Sequence, residues 1–188
     1  KYKHLIVSPH YTKNTVVRMI NKEIENHKAG LPSGIKLKLN AITNFEMIEK
    51  LYEASCEGVQ IKMIVRGICC LIPGVIGMSE NIEVISIVDK YLEHPRVYIF
   101  ENGGTPSVYL SSADFMTRNI ENRVEVAVPI YNDILQKEIL DVFEISWNDN
   151  VKARKINGSN QNIFVKNSRN EIRSQWKIHE YYYEKSCS

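Results

Sequence analysis

The sequence predicts an α/β fold: a mostly parallel or mixed central sheet flanked by helices, followed by a C-terminal helical tail. Through the first 65 residues, segments of strand length alternate with segments of helical period in the order βαβαβ. A helix between two strands favours parallel pairing, with the helix laid on a sheet face and ligands gathered at the carboxyl ends of the strands. The chain has 188 residues, 44% of them apolar, enough to bury one sizeable core.

The first strand is read from "KHLIVS" (3–8), a short apolar run. In "TKNTVVRMINKEIENHKAG", Val16, Ile20, Ile24 and Ala29 recur at roughly helical spacing, and Gly30 stops the run. "GIKLKLN" (34–40) alternates with period two, "NFEMIEKLYEASCEG" (44–58) is a capped amphipathic helix ending at Gly58, and "VQIKMIV" (59–65) is the third strand. "RGICCLIPGVIGMSEN" (66–81) holds three glycines and a proline and reads as a loop at a strand's carboxyl end. "IEVISIVDKYLEH" (82–94) combines a strand-like start with a helical end. "RVYIF" (96–100) and "SVYLSS" (107–112) pair across the turn "ENGGTP", "RVEVAVPI" (123–130) is a strand, and "YNDILQKEILDVFEISW" (131–147) is the helix after it. The division expected is a main domain over 1–150 and a tail over 151–188, polar at first and closing on a helix around "EIRSQWKIHEYYYEK".

A net charge of +2 is too balanced for a general nucleic-acid or membrane binder, so anion recognition has to come from local clusters. No apolar run reaches the roughly 18 residues of a membrane span. The four cysteines lack CxxC spacing and two are adjacent, which suits reduced thiols of a cytosolic protein better than a disulfide scaffold or zinc site. The chain opens inside a strand pattern without Met, and so reads as a piece of a longer protein.

Among five histidines, His94 is set apart by Arg96 two residues on, which an extended backbone places on the same face. Its plainer role is a capping histidine that satisfies a loop carbonyl. "SSADFMTRN" (111–119) supplies Ser112, Asp114 and Arg118, hydroxyl and guanidinium donors suited to phosphate oxygens, and reads equally as a Ser/Asp-capped helix start. Arg66, after the third strand, is an anion ligand or a solvated cation. With Arg123 these residues make a basic, hydrogen-bonding set near strand ends. "GGTP" is a turn rather than a phosphate loop, and the strand tyrosines are half-buried sheet residues before they are nucleobase platforms.

"VRGICCLIPG", "SENIEVISIVDKYLEHPRVYIFENGG" and "VYLSSADFMTRNIENRVEVAVPI" resemble the C-terminal catalytic domain of bacterial polyphosphate kinase, the long-chain-synthesising type. "LIVSPHYTKN" and "KAGLPSGIKLKLN" extend the likeness to about residue 155. The resemblance implies a phospholipase-D-like domain, one of two halves facing each other across a tunnel for nucleotide and polyphosphate. It implies reversible transfer of the ATP terminal phosphate to inorganic polyphosphate through a phosphohistidine in the preceding domain, where Mg2+ is also mainly bound. This chain would then be inactive alone and hold no metal of its own.

By the same resemblance, "HPR" stands where phospholipase-D relatives carry His-x-Lys, and "SSAD" where they carry Gly-Ser-x-Asn. That makes His94 this half's catalytic histidine and Arg66 the ATP-phosphate arginine. Arg96, Arg118, Ser112 and Asp114 join them as phosphate-binding groups, and Glu125 orients the imidazole. ATP or ADP, polyphosphate, the upstream domains and further copies of the full-length chain are the expected partners, with no nucleic acid and no membrane span. The expected location is the cytoplasm, with peripheral attachment at the inner membrane as a variant. Two other readings remain: a phospholipase-D-type phosphodiesterase or nuclease pairing two copies of His94, and a non-catalytic phosphate- or nucleotide-binding module.

Overall fold

The second helix forms where its boundary signals lie. Asn44 is extended and its side chain accepts from the Met47 amide at 3.1 Å, and the helix ends before Gly58, whose φ of +93° suits glycine. A computed structural model describes residues 2–158, 162–167 and 170–187. In order the elements are β1 (Ile6–Val7), α1 (Thr12–Lys28), β2 (Ile35–Leu39), α2 (Phe45–Cys56), β3 (Ile61–Val65), β4 (Ile82–Ile87) and β5 (Arg96–Phe100). β6 (Ser107–Ser111), β7 (Val126–Ile130), α3 (Asp133–Trp147), β8 (Ala153–Ile156) and α4 (Ser174–Ser186) follow.

One sheet joins the strands in the order β1-β7-β6-β5-β2-β3-β4-β8. The β2–β3 and β3–β4 pairs are parallel and the other pairs are antiparallel, so the sheet is mixed, with a parallel centre. Strand alternation sends Leu37, Met63 and Tyr98 to the face covered by α1 and α2. Ile64, Ile85 and Ile99 go to the opposite face, where Phe143 of α3 packs. Val16, Ile20 and Ile24 of α1 are all buried, as their helical spacing requires, and each such side chain contributes about 1.5–3 kcal/mol.

Three features depart from the sequence pattern. The first strand keeps only Ile6–Val7 and pairs antiparallel with β7 at the sheet edge, so it does not lie beside β2 as a βαβ unit would place it. The helical end expected after β4 does not form: residues 88–94 carry no helix. Tyr91 and Leu92 are both exposed, which leaves no apolar stripe to bury, and Pro95 biases the residue before it away from helix. Side chains hold this strap instead. Arg173 grips Asp89 at 2.6 and 2.8 Å, and Gln175 accepts from the Tyr91 amide at 3.0 Å and donates to its carbonyl at 2.8 Å.

The polar stretch after residue 150 supplies β8, which pairs antiparallel with β4; residues 159–161 and 168–169 of that stretch lie outside the described residues. α4 packs against α3, with the Tyr181 hydroxyl donating to Asp141 at 3.1 Å. The joint is Asp149, fully buried. Its carboxylate accepts from the amides of Val151, Lys152 and Ala153 at 3.0, 2.6 and 3.0 Å and of Ser174 at 2.7 Å. Burial works to raise its pKa, but the hydrogen bonds from Ser174 and the backbone outweigh it and leave the pKa lowered.

Asp149→Ala is therefore expected to cost about 3 kcal/mol in urea denaturation, because it strands four amides, two of them buried. A pKa lower in the folded state gives stability that is present above the ordinary Asp range and lost as pH falls through the folded value. The gap between parent and variant should thus narrow below about pH 4.

Candidate functional site

The sheet topology gathers the candidate residues on one edge. β2 and β3 end level, Leu39 beside Val65, where antiparallel β5 begins and β6 ends, Arg96 beside Ser111. Arg66, His94, Arg96, Ser112, Asp114 and Glu125 all lie within a few residues of these strand ends.

Asp114 is the centre. Its side chain is buried; one oxygen accepts from the amides of Asn40 at 2.7 Å and Ala41 at 3.0 Å, and the other takes Arg96 at 2.7 Å. Burial would raise its pKa, but Arg96 and the two amides hold it below the usual carboxylate range. The Arg96 guanidinium then lies along His94, with one nitrogen 3.3 Å from Nδ1 and the other 3.0 Å from Nε2. It also donates to the His94 carbonyl at 3.3 Å. The exposed imidazole thus rests on a charge-balanced pair that contacts both of its ring nitrogens. Asn40 accepts a close hydrogen bond from Arg66, so one chain of contacts runs from Arg66 through Asn40, Asp114 and Arg96 to His94.

Local sequence explains why these residues meet. The buried Tyr98 hydroxyl donates to the Ala113 carbonyl, and burial pushes its pKa up. Phe115 is fully buried, and its carbonyl accepts from the amides of Thr43 and Asn44, both at 2.9 Å. Asp114 is therefore pinned between two locked aromatic residues. Gly67 brings the Arg66 loop against β2: its amide donates to the Asn40 carbonyl at 2.8 Å, and a Cβ there would sit 3.0 Å from that oxygen. Asn40 and Gly67 escaped the sequence reading, although Asn40 carried the same signal as Arg66, a polar residue closing a strand at its carboxyl end.

Several expected phosphate ligands are engaged elsewhere. Arg96 and Asp114 are committed to each other at 2.7 Å. Glu125 does not hold the imidazole: it accepts a close hydrogen bond from Ser112 and one from Asn119 at 2.6 Å. It serves the end of β6 instead, where the Val126 amide donates to Ser112 at 3.1 Å. Arg118 and Arg123 are exposed and Arg66 half-buried, and none has an acidic partner among the described residues. A guanidinium without an acidic partner at Arg66, joined by this contact chain to the imidazole, is chemically suited to an anion such as a phosphoryl group.

A family model described as polyphosphate kinase C-terminal domain 2 matches residues 5–175. The chain is 47% identical over 182 residues to the polyphosphate kinase of Vibrio cholerae and 48% identical over 181 residues to that of Escherichia coli K12. Each alignment covers 96% of this chain and 26% of the relative, so the chain spans about a quarter of the length of the curated relatives it matches. The crystal structure of polyphosphate kinase from Porphyromonas gingivalis superposes with a TM-score of 0.94 at 42% identity, over 98% of this chain and 28% of that one. A phospholipase D family member, Nuc from Salmonella typhimurium, superposes at 0.60 with 18% identity, covering 82% of this chain and 97% of that one, which shows a shared fold.

Proposed function

The chain belongs to the polyphosphate kinase family as its C-terminal domain, and on that premise we propose that in the full-length enzyme it completes a site moving the terminal phosphate of ATP onto inorganic polyphosphate, and in reverse onto ADP. The observation that carries this reading is the contact chain from Arg66 to His94 along one sheet edge. Phosphoryl transfer is served by positioning and charge stabilisation, and guanidinium forks match two non-bridging oxygens at once. Arg66 and Arg118 hold those oxygens. His94 donates a proton or a charged hydrogen bond to the transferring group, a task suited to imidazole. Arg96 and Asp114 keep its ring in place, while Ser112 and Glu125 fix the neighbouring strand ends.

The phosphate-accepting histidine belongs to the preceding domain, so this domain alone is inactive. Mg2+ does not fit the residues here: both edge carboxylates are spent on other partners, and no group of three His, Cys, Asp or Glu is placed to hold a metal among the described residues. No helix among them is long and apolar enough to cross a membrane. A cytoplasmic homo-oligomer, with any contact at the inner membrane peripheral, completes the proposal.

With ATP labelled at the γ-phosphate, the full-length enzyme is expected to put label into acid-insoluble polymer, and the isolated domain to put in none. Neither should cleave a nitrophenyl phosphodiester. Diesterase activity lost in His94→Ala would instead support the phospholipase-D-type reading.

A further inference from the structure

On the side of Arg66 away from His94, the same sheet edge borders a cavity of about 750 Å³. Gly67 and Cys69, from the loop after β3, form one wall; Ser86 of β4 with Arg154 and Lys155 of β8 form the other. None of its described lining residues is acidic. The Arg154 guanidinium lies 4.3 Å over the Phe164 ring, Lys155 is exposed, and neither has an acidic partner among the described residues. An aromatic face leaves a guanidinium's hydrogen-bond donors free at its edge.

The cavity and the reaction edge are physically continuous. Ser86 donates to the Arg66 carbonyl at 3.1 Å and sits opposite Arg154 in the β4–β8 pair. The strand order β5-β2-β3-β4-β8 lays His94 and Arg96, then Asn40, Arg66, Ser86 and Arg154, in one row. At about 4.8 Å per strand, that row is about 19 Å long. A compact anion can meet only one part of it. A linear polyanion can meet cations along its length.

Resting on the function proposed above, we infer that this cavity holds the polyphosphate chain several phosphates away from its reacting end, with Arg154 as the distal ligand. Grip at this distance adds to binding of the polymer without touching the reacting atoms, so it appears in KM for polyphosphate rather than in kcat.

The test is steady-state kinetics of the full-length enzyme in the ATP-forming direction, with KM measured separately for long-chain polyphosphate and for ADP. Arg154→Gln is expected to raise the polyphosphate KM about tenfold, equivalent to about 1.4 kcal/mol, with kcat and the ADP KM nearly unchanged. Arg154→Lys should recover much of the loss. Lys155→Gln, on the same strand but on the opposite sheet face beside Ile85, should leave that constant nearly unchanged. An unchanged polyphosphate KM in Arg154→Gln, or an equal rise for ADP, overturns the inference alone. A parent enzyme that turns over no polyphosphate overturns the function beneath it.

Discussion

His94→Ala in the full-length enzyme is expected to lower kcat for polyphosphate synthesis by about 10³-fold, the scale of a lost general acid or charged donor. The change should be specific, because the imidazole is exposed and supports no core packing. Its removal frees one side of Arg96 but leaves the Arg96–Asp114 pair and the two amides on Asp114 intact. The fold should therefore hold, with thermal unfolding close to that of the parent. KM for ATP should change little if the imidazole acts mainly as charge develops in transfer. Turnover near the parent's would remove His94 from the chemistry.

Arg66→Ala is the second large effect, an expected loss of about 10²–10³-fold in kcat/KM. Here the ATP KM should rise as well, because a guanidinium on phosphate oxygens binds the ground state and the transition state alike. Arg66→Lys should recover only part of the loss, since an ammonium keeps the charge but not the fork. Asn40→Ala separates direct contact from positioning: it removes the side chain that Arg66 grips while leaving the backbone amide on Asp114. A drop smaller than that of Arg66→Ala is expected from it. Unchanged ATP KM in Arg66→Ala would exclude a role in nucleotide binding.

Much of this was legible in the sequence because short-range signals decide it. Asn44 and Gly58 bound a helix, and Leu37 alternates with Leu39 on one face. What stayed hidden depends on partners remote in the chain. Nothing local shows that Ile6–Val7 pairs with β7, or that residues 88–94 stay out of a helix while Arg173 and Gln175 hold them. The same limit applies to the site. Arg66, His94 and Asp114 stand out as chemistry-bearing residues at strand ends, but only the sheet order shows that Asn40 links them. Glu125 was placed on the imidazole by family likeness, whereas contacts 6 and 13 residues away in sequence take its carboxylate to Asn119 and Ser112.

A double-mutant cycle on His94→Ala and Arg66→Ala asks most directly whether the two side chains act on one phosphoryl group. If they do, removing the second costs much less once the first is gone, and the double variant falls about tenfold or less below the weaker single variant in kcat/KM. Losses that multiply in full would mean that the imidazole and the guanidinium act independently.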